Sequence, residues 1–232
     1  MQNICNIELE DLIKEAESGN IDAQYFLAQK FHHGEDGVEK DCTKAVFWYT
    51  KVMEADLGSD FGIVFSQMVC RGDTAFQLGE IFYWGEGDIT RDYSTAVYWY
   101  TEAAQYVGQT EAFYKLGNCY YYGEGTSRNY EKAAENYMQA ASDNHAKAQY
   151  RLGLCYKDGL GVPLDKTKAF DYFSNASVNE DPSVEAQFEL AQCFYYGIGT
   201  EQNMERAKFW YRKAAEEQHL YAIEMLKEFK LS

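Results

Sequence analysis

The sequence predicts an all-α solenoid of about five helix pairs with a capping helix at each end, and three observations carry that expectation. A small residue followed by Leu at +4, Gly or Ala at +5, Tyr or Phe at +8 and Gly at +11 opens at Ala23, Thr74, Ala112, Ala148 and Ala186. After a first step of 51 residues the openings recur at steps of 38, 36 and 38, and a degenerate sixth at Ala222 keeps Leu226 at +4. Between the openings a second pattern recurs: an Asp or Asn, then an Ala, then an aromatic-rich pair. A fixed period of roughly 20 to 50 residues signals stacked units that bury their apolar faces only against neighbours. Residues 1–232 are therefore read as one elongated domain.

Within each unit the residues at 0, +4 and +8 share one stripe of a first helix, and Gly at +5 lets a neighbouring helix come close. That helix ends at Gly34, Gly85, Gly123, Gly159 and Gly197, the residue type that favours a left-handed C-terminal cap. A second Gly follows in Gly85-Glu-Gly87, Gly123-Glu-Gly125, Gly159-Leu-Gly161 and Gly197-Ile-Gly199. Asp41, Asp92, Asn129, Asp165 and Asn203 then stand where a side chain can accept the free amides opening a second helix. This helix runs through Ala45, Ala96, Ala133, Ala169 and Ala207 to the pairs Trp48-Tyr49, Trp99-Tyr100, Asn136-Tyr137, Tyr172-Phe173 and Trp210-Tyr211, which are expected to fill core. The long first step places an insertion at residues 54–73, where apolar Phe61 to Cys70 predicts a short additional helix. That helix either plugs a widened gap or, if exposed, docks a partner.

These motifs resemble the Sel-one-like repeat (SLR) family over about residues 9–230, through the Gly-x-Gly loop, the Asp and the Ala-x-x-Trp-Tyr helix. The resemblance implies a right-handed α–α superhelix of tetratricopeptide-like helix pairs that mediates protein contacts without doing chemistry. It also implies how the ends are built. Residues 7–19 look like the tail of a second helix without its partner, and residues 219–230 like a lone first helix, each acting as a cap.

Composition narrows the partners. A formal charge of −16, from 37 acids against 21 bases, disfavours nucleic acid and anionic membranes, and draws a basic protein or segment instead. Nothing approaches a membrane span or a cleavable leader, so the expected compartment is the cytoplasm. Cys119, Cys155 and Cys193 share one repeat position, about one helix spacing apart and beyond disulfide reach, and read as buried thiols. Cys5, Cys42 and Cys70 share none, which also fits a reducing compartment.

Signals for catalysis are thin. His32 and His33 are adjacent, with side chains expected to diverge, and read as polar surface residues instead of metal ligands. The Gly-x-Gly loops close helices, the opposite of a phosphate cradle, and no cofactor is expected. Cysteine-rich relatives are associated with β-lactam binding or hydrolysis, but Ala104, Ala141, Ser177 and Ala215 stand where their paired cysteines would begin.

By resemblance, the first helices line a concave groove through positions −1, +2, +6, +9 and +10. Those columns give a candidate partner-binding set of Asp73, Glu80, Tyr83, Trp84, Glu111, Asn118, Tyr121, Tyr122, Tyr195 and Tyr196. Acids studded with aromatics suit a cationic protein element, although +9 and +10 could equally pack on the Gly loop. The +2 column reads as structural. Bacterial immunity proteins of this repeat type, which hold a toxin, are a concrete version of the same function, with a basic toxin as the partner; β-lactam hydrolysis is the competing enzymatic one.

Overall fold

A computed structural model describes residues 8–55, 61–106 and 108–231. Cys5, residue 7 of the expected first cap and residues 56–60 of the insertion lie outside the described residues. Twelve helices and no strands occur among those described: α1 (Leu9–Glu17), α2 (Ile21–His33), α3 (Cys42–Glu54), α4 (Phe61–Trp84), α5 (Tyr93–Ala103), α6 (Thr110–Tyr122), α7 (Tyr130–Ser142), α8 (Ala146–Asp158), α9 (Lys166–Ser177), α10 (Val184–Tyr196), α11 (Met204–Glu216) and α12 (Leu220–Leu231). The chain divides into two compact units, residues 1–112 with 124–126, and residues 113–123 with 127–232.

Local chemistry fixes the helix ends. All five second helices start at an extended Asp or Asn, at Asp41, Asp92, Asn129, Asp165 and Asn203, whose side chain accepts a first-turn amide. All five first helices stop at a glycine with φ between 68° and 77°, a region where a Cβ is strained. The first helices carry caps of their own, three residues before the opening: Asn20, His145, Ser183 and His219 accept the amides of Ala23, Ala148, Ala186 and Ala222. The sequence reading overlooked these four caps, although their spacing from the opening was visible.

In the first unit α2 pairs with α3 and α4 with α5, α1 lies on α2 and α3 lies on α4. In the second, α8 pairs with α9 and α10 with α11, α7 lies on α8, α9 on α10 and α12 on α11. The core of every repeat is one second-helix aromatic: Tyr49, Tyr100, Tyr137, Phe173 and Tyr211 are all 0% exposed. In repeats two, three and four the ring lies where a side chain at +5 would stand. A Cβ on Gly117 would stand 2.4 Å from Tyr137 Cε1, and one on Gly79 2.5 Å from Tyr100 Cδ1.

The residue at +6 matches the buried ring it meets. Tyr100 donates its hydroxyl to Glu80, and Tyr137 donates to Asn118 Oδ1 at 2.9 Å. Repeat four, with Phe173 in place of Tyr, has the apolar Leu154 at +6. Repeats one and five carry Ala28 and Ala191 at +5, and there the +6 bond is not made. Tyr49 lies 3.4 Å from His32 Nδ1, and the Tyr211 hydroxyl is buried with no partner among the described residues.

The insertion departs from the sequence reading. Instead of forming a separate short helix, residues from Phe61 onward extend the first helix of repeat two, so that α4 runs unbroken for 24 residues. Nothing in Arg71-Gly72-Asp73 stops a helix, and Gly72 is needed bare because a Cβ would lie 2.9 Å from Tyr106 Cβ and Gln109 Nε2. Arg71 ties this extension to the end of α3, donating to the carbonyls of Val52 at 3.2 Å and of Ala55. Met68 and Val69 are exposed, while Cys70 is half-buried.

Candidate protein-binding face

Position +9 and position +10, paired by the sequence reading, have different fates. At +9 the side chains pack. Tyr83 donates to Glu124 Oε2 at 2.7 Å and meets Tyr93 edge-on at 5.1 Å. Tyr121 meets Tyr130 edge-on at 5.2 Å, Lys157 reaches both oxygens of Glu189 at 3.0 Å, and Tyr195 lies against Phe229 at 5.6 Å. At +10 they face outward: Trp84, Tyr122 and Tyr196 are 54%, 51% and 61% exposed. One residue of helix is about 100° of rotation, enough to turn one neighbour into the loop and the next into water.

The acids of the candidate set are engaged within the chain. Asp73 accepts from Gln109 Nε2 at 2.8 Å and also faces the Tyr25 hydroxyl, whose pKa is raised first by burial and then by that carboxylate. Glu80 holds Tyr100 through one oxygen and Trp84 Nε1, at 3.3 Å, through the other. Asn118 serves Tyr137, and Glu111 is half-buried in the first turn of α6. The outward chemistry is therefore carried by the +10 aromatics, with Tyr122 already holding a cation: the Arg151 guanidinium lies 5.6 Å from its ring centre and 6.0 Å from that of Tyr121.

A family model described as Sel1 repeat matches residues 21–51, 72–105, 110–145, 146–177 and 184–219, well over half of the chain. The chain belongs to the Sel1 repeat family. Among solved structures it is similar to a Sel1 repeat protein from Oxalobacter formigenes, with 28% identity, a TM-score of 0.76, and coverage of 94% of this chain and 82% of that one. It is also similar to c5321, a protective antigen of uropathogenic Escherichia coli displaying an SLR fold, with 28% identity and a TM-score of 0.59. That match covers 90% of this chain but only about half, 48%, of the antigen. No curated protein matches. Sel1 repeats generally mediate protein–protein contacts and are typically non-enzymatic scaffolds.

Cys42, Cys70, Cys155 and Cys193 are free thiols, all but Cys70 buried, and burial pushes Cys155 up to about 11 and Cys193 up to about 12. Such thiols stay protonated near neutral pH and are poor nucleophiles. Among the described residues no helix is long and apolar enough to cross a membrane, and no group of three or more His, Cys, Asp or Glu is placed to hold a metal ion.

His32 corrects the sequence reading of a surface pair. It is 4% exposed, its ring stacks on that of His33 at 4.6 Å, and its Nε2 lies 3.5 Å from Glu86 of the next Gly-x-Gly loop. Burial lowers its pKa, Glu86 opposes that shift, and His33 and Lys40 add to it. Below its ordinary value of about 6.5 the unfolded chain binds a proton that folded His32 resists, so stability is full above that pH and falls as the pH drops toward the depressed folded value. Replacement by Gln is expected to flatten this limb, read as the urea midpoint against pH. An equally steep limb in His32→Gln would assign the loss to another group.

Proposed function

We propose that this Sel1 repeat chain is a non-enzymatic binding module that holds a protein partner with a basic surface or segment on the acidic, aromatic-rich faces that the first helices present within each unit. The observation that carries this reading is the outward +10 position, where Trp84, Tyr122 and Tyr196 are each more than half exposed on a chain of charge −16. Large exposed aromatics give contact area and accept Arg or Lys over their faces, and the net charge speeds encounter with a basic protein. The buried free thiols suit a reducing compartment such as the cytoplasm. The same charge favours, as a narrower version, an immunity protein that neutralises a basic toxin.

Capture from native lysate at low and high salt tests the reading. Basic proteins retained at low salt are expected to be lost, by tenfold or more, when Trp84, Tyr122 and Tyr196 are changed together to Ala with the helical signal intact. Retention by the triple variant at the parent level would refute it, as would turnover of a β-lactam that a single Ser or Cys substitution abolishes. Rescue of cells from a basic toxin by co-expression would select the immunity version.

A further inference from the structure

Within the second unit, repeats three and five build the same arrangement twice. In repeat three Tyr114 lies 4.9 Å from His145, Tyr121 and Tyr122 meet edge-on at 5.0 Å, and Tyr137 is buried beside them. In repeat five Phe188 stacks on His219 at 4.4 Å, Tyr195 and Tyr196 meet edge-on at 4.6 Å, and Tyr211 is buried beside them. Three differences separate them: Phe188 stands in place of Tyr114, whose hydroxyl meets Arg151 in repeat three; Phe229 packs on Tyr195 and Tyr211 where α8 has Cys155; and the residue at +3 of the following helix differs. Repeat three receives Arg151 over its tyrosine pair, whereas the matching position of α12 is Met225, and no basic side chain of the described residues lies over Tyr195 or Tyr196. A second observation marks the same place: the Tyr211 hydroxyl, 0% exposed, has no partner among the described residues, while that of Tyr137 donates to Asn118.

We propose that Tyr195 and Tyr196 receive an arginine side chain of the bound protein, as Tyr121 and Tyr122 receive Arg151. The inference rests on the protein-binding reading and names the chemistry of one contact in it. A guanidinium is planar and weakly hydrated, so it stacks on an aromatic face better than an ammonium does. Met225 is half-buried and packs against the core of this unit. The formal charge of −16 favours a cationic occupant over an apolar one.

The test uses the full chain and a fluorescein-labelled, glycine-spaced arginine peptide, with its lysine and citrulline counterparts, followed by anisotropy. The arginine peptide is expected to bind more tightly than either counterpart, and Tyr196→Ala to weaken it roughly five- to thirty-fold. Met225→Arg, which places an arginine of the chain itself at the position Arg151 holds in repeat three, is expected to abolish binding while leaving the thermal midpoint unchanged or higher. This second variant fills the site instead of emptying it, so lost binding cannot be put down to misfolding. Equal binding of arginine and lysine peptides, or parent-level binding by both variants, would overturn the proposal. So would failure of the arginine peptide to bind at all. If a basic protein is still captured through Trp84 and Tyr122 in any of those cases, the protein-binding reading survives the loss of its arginine contact.

Discussion

Gly161→Ala is expected to lower stability by about 3 kcal/mol or more, among the largest losses available to a single methyl in this chain. Two costs coincide there. Gly161 has φ +73°, and a Cβ would stand 2.0 Å from the Tyr130 carbonyl oxygen and 2.2 Å from its carbon. Those atoms are backbone at the start of α7, so no side-chain rotation relieves the clash. Gly37→Ala is the control, because Gly37 has φ +80° but nothing within 4 Å of the added methyl, and only the strain of about 1–2 kcal/mol applies. Thermal and urea midpoints followed by circular dichroism separate the two. Equal losses would mean that the stacking of a Gly-x-Gly loop on the preceding repeat contributes nothing. The same contact recurs at Gly125 against Tyr93 and at Gly199 against Lys166, with Cβ distances of 2.1 Å and 1.9 Å to the carbonyl oxygen.

Tyr137→Ala is expected to cost about 3–5 kcal/mol, the range for deleting a large buried ring. The ring is 0% exposed and lies on Gly117, which has no side chain to move into the hole. Tyr137→Phe keeps the ring and removes only the hydroxyl bonded to Asn118 at 2.9 Å, so about 1 kcal/mol is expected. Since Asn118 is half-exposed, water can take over its oxygen. Urea midpoints of the two variants check the division. A phenylalanine variant as unstable as the alanine one would place the stabilisation in the hydrogen bond and not in the packing.

Much of the fold was legible because repeat proteins print their contacts at a fixed interval. The small residue, Leu and Gly of Ala112, Leu116 and Gly117 could be assigned to a buried stripe from spacing alone, and Ala112 and Leu116 are 0% and 4% exposed. The capping residues were legible for a similar reason, since Asn129 and Gly123 act on amides and carbonyls within a few residues of themselves. The insertion was misjudged because a helix boundary needs a stop signal, and Phe61 onward runs into Thr74 without one.

The candidate face was legible only in composition. Nothing in the local pattern said that Asp73 would be turned to Gln109, Glu80 to Tyr100, or Tyr83 to Glu124, since those partners stand 36, 20 and 41 residues away. Nor could it say that His32 would be buried against Glu86 instead of facing water.

The sequence by itself determined the family, the helix-pair repeat, the caps and the buried aromatic of each unit, because those depend on side-chain type at short, fixed separations along the chain. Only the tertiary structure decided which aromatics stand exposed. Tyr121 and Tyr122 are identical in sequence and adjacent, yet one packs on Tyr130 and the other stands 51% exposed beneath Arg151. That choice is made by which way a helix faces once the next repeat has closed over it, and the packing of two helices distant in sequence is what sets the facing.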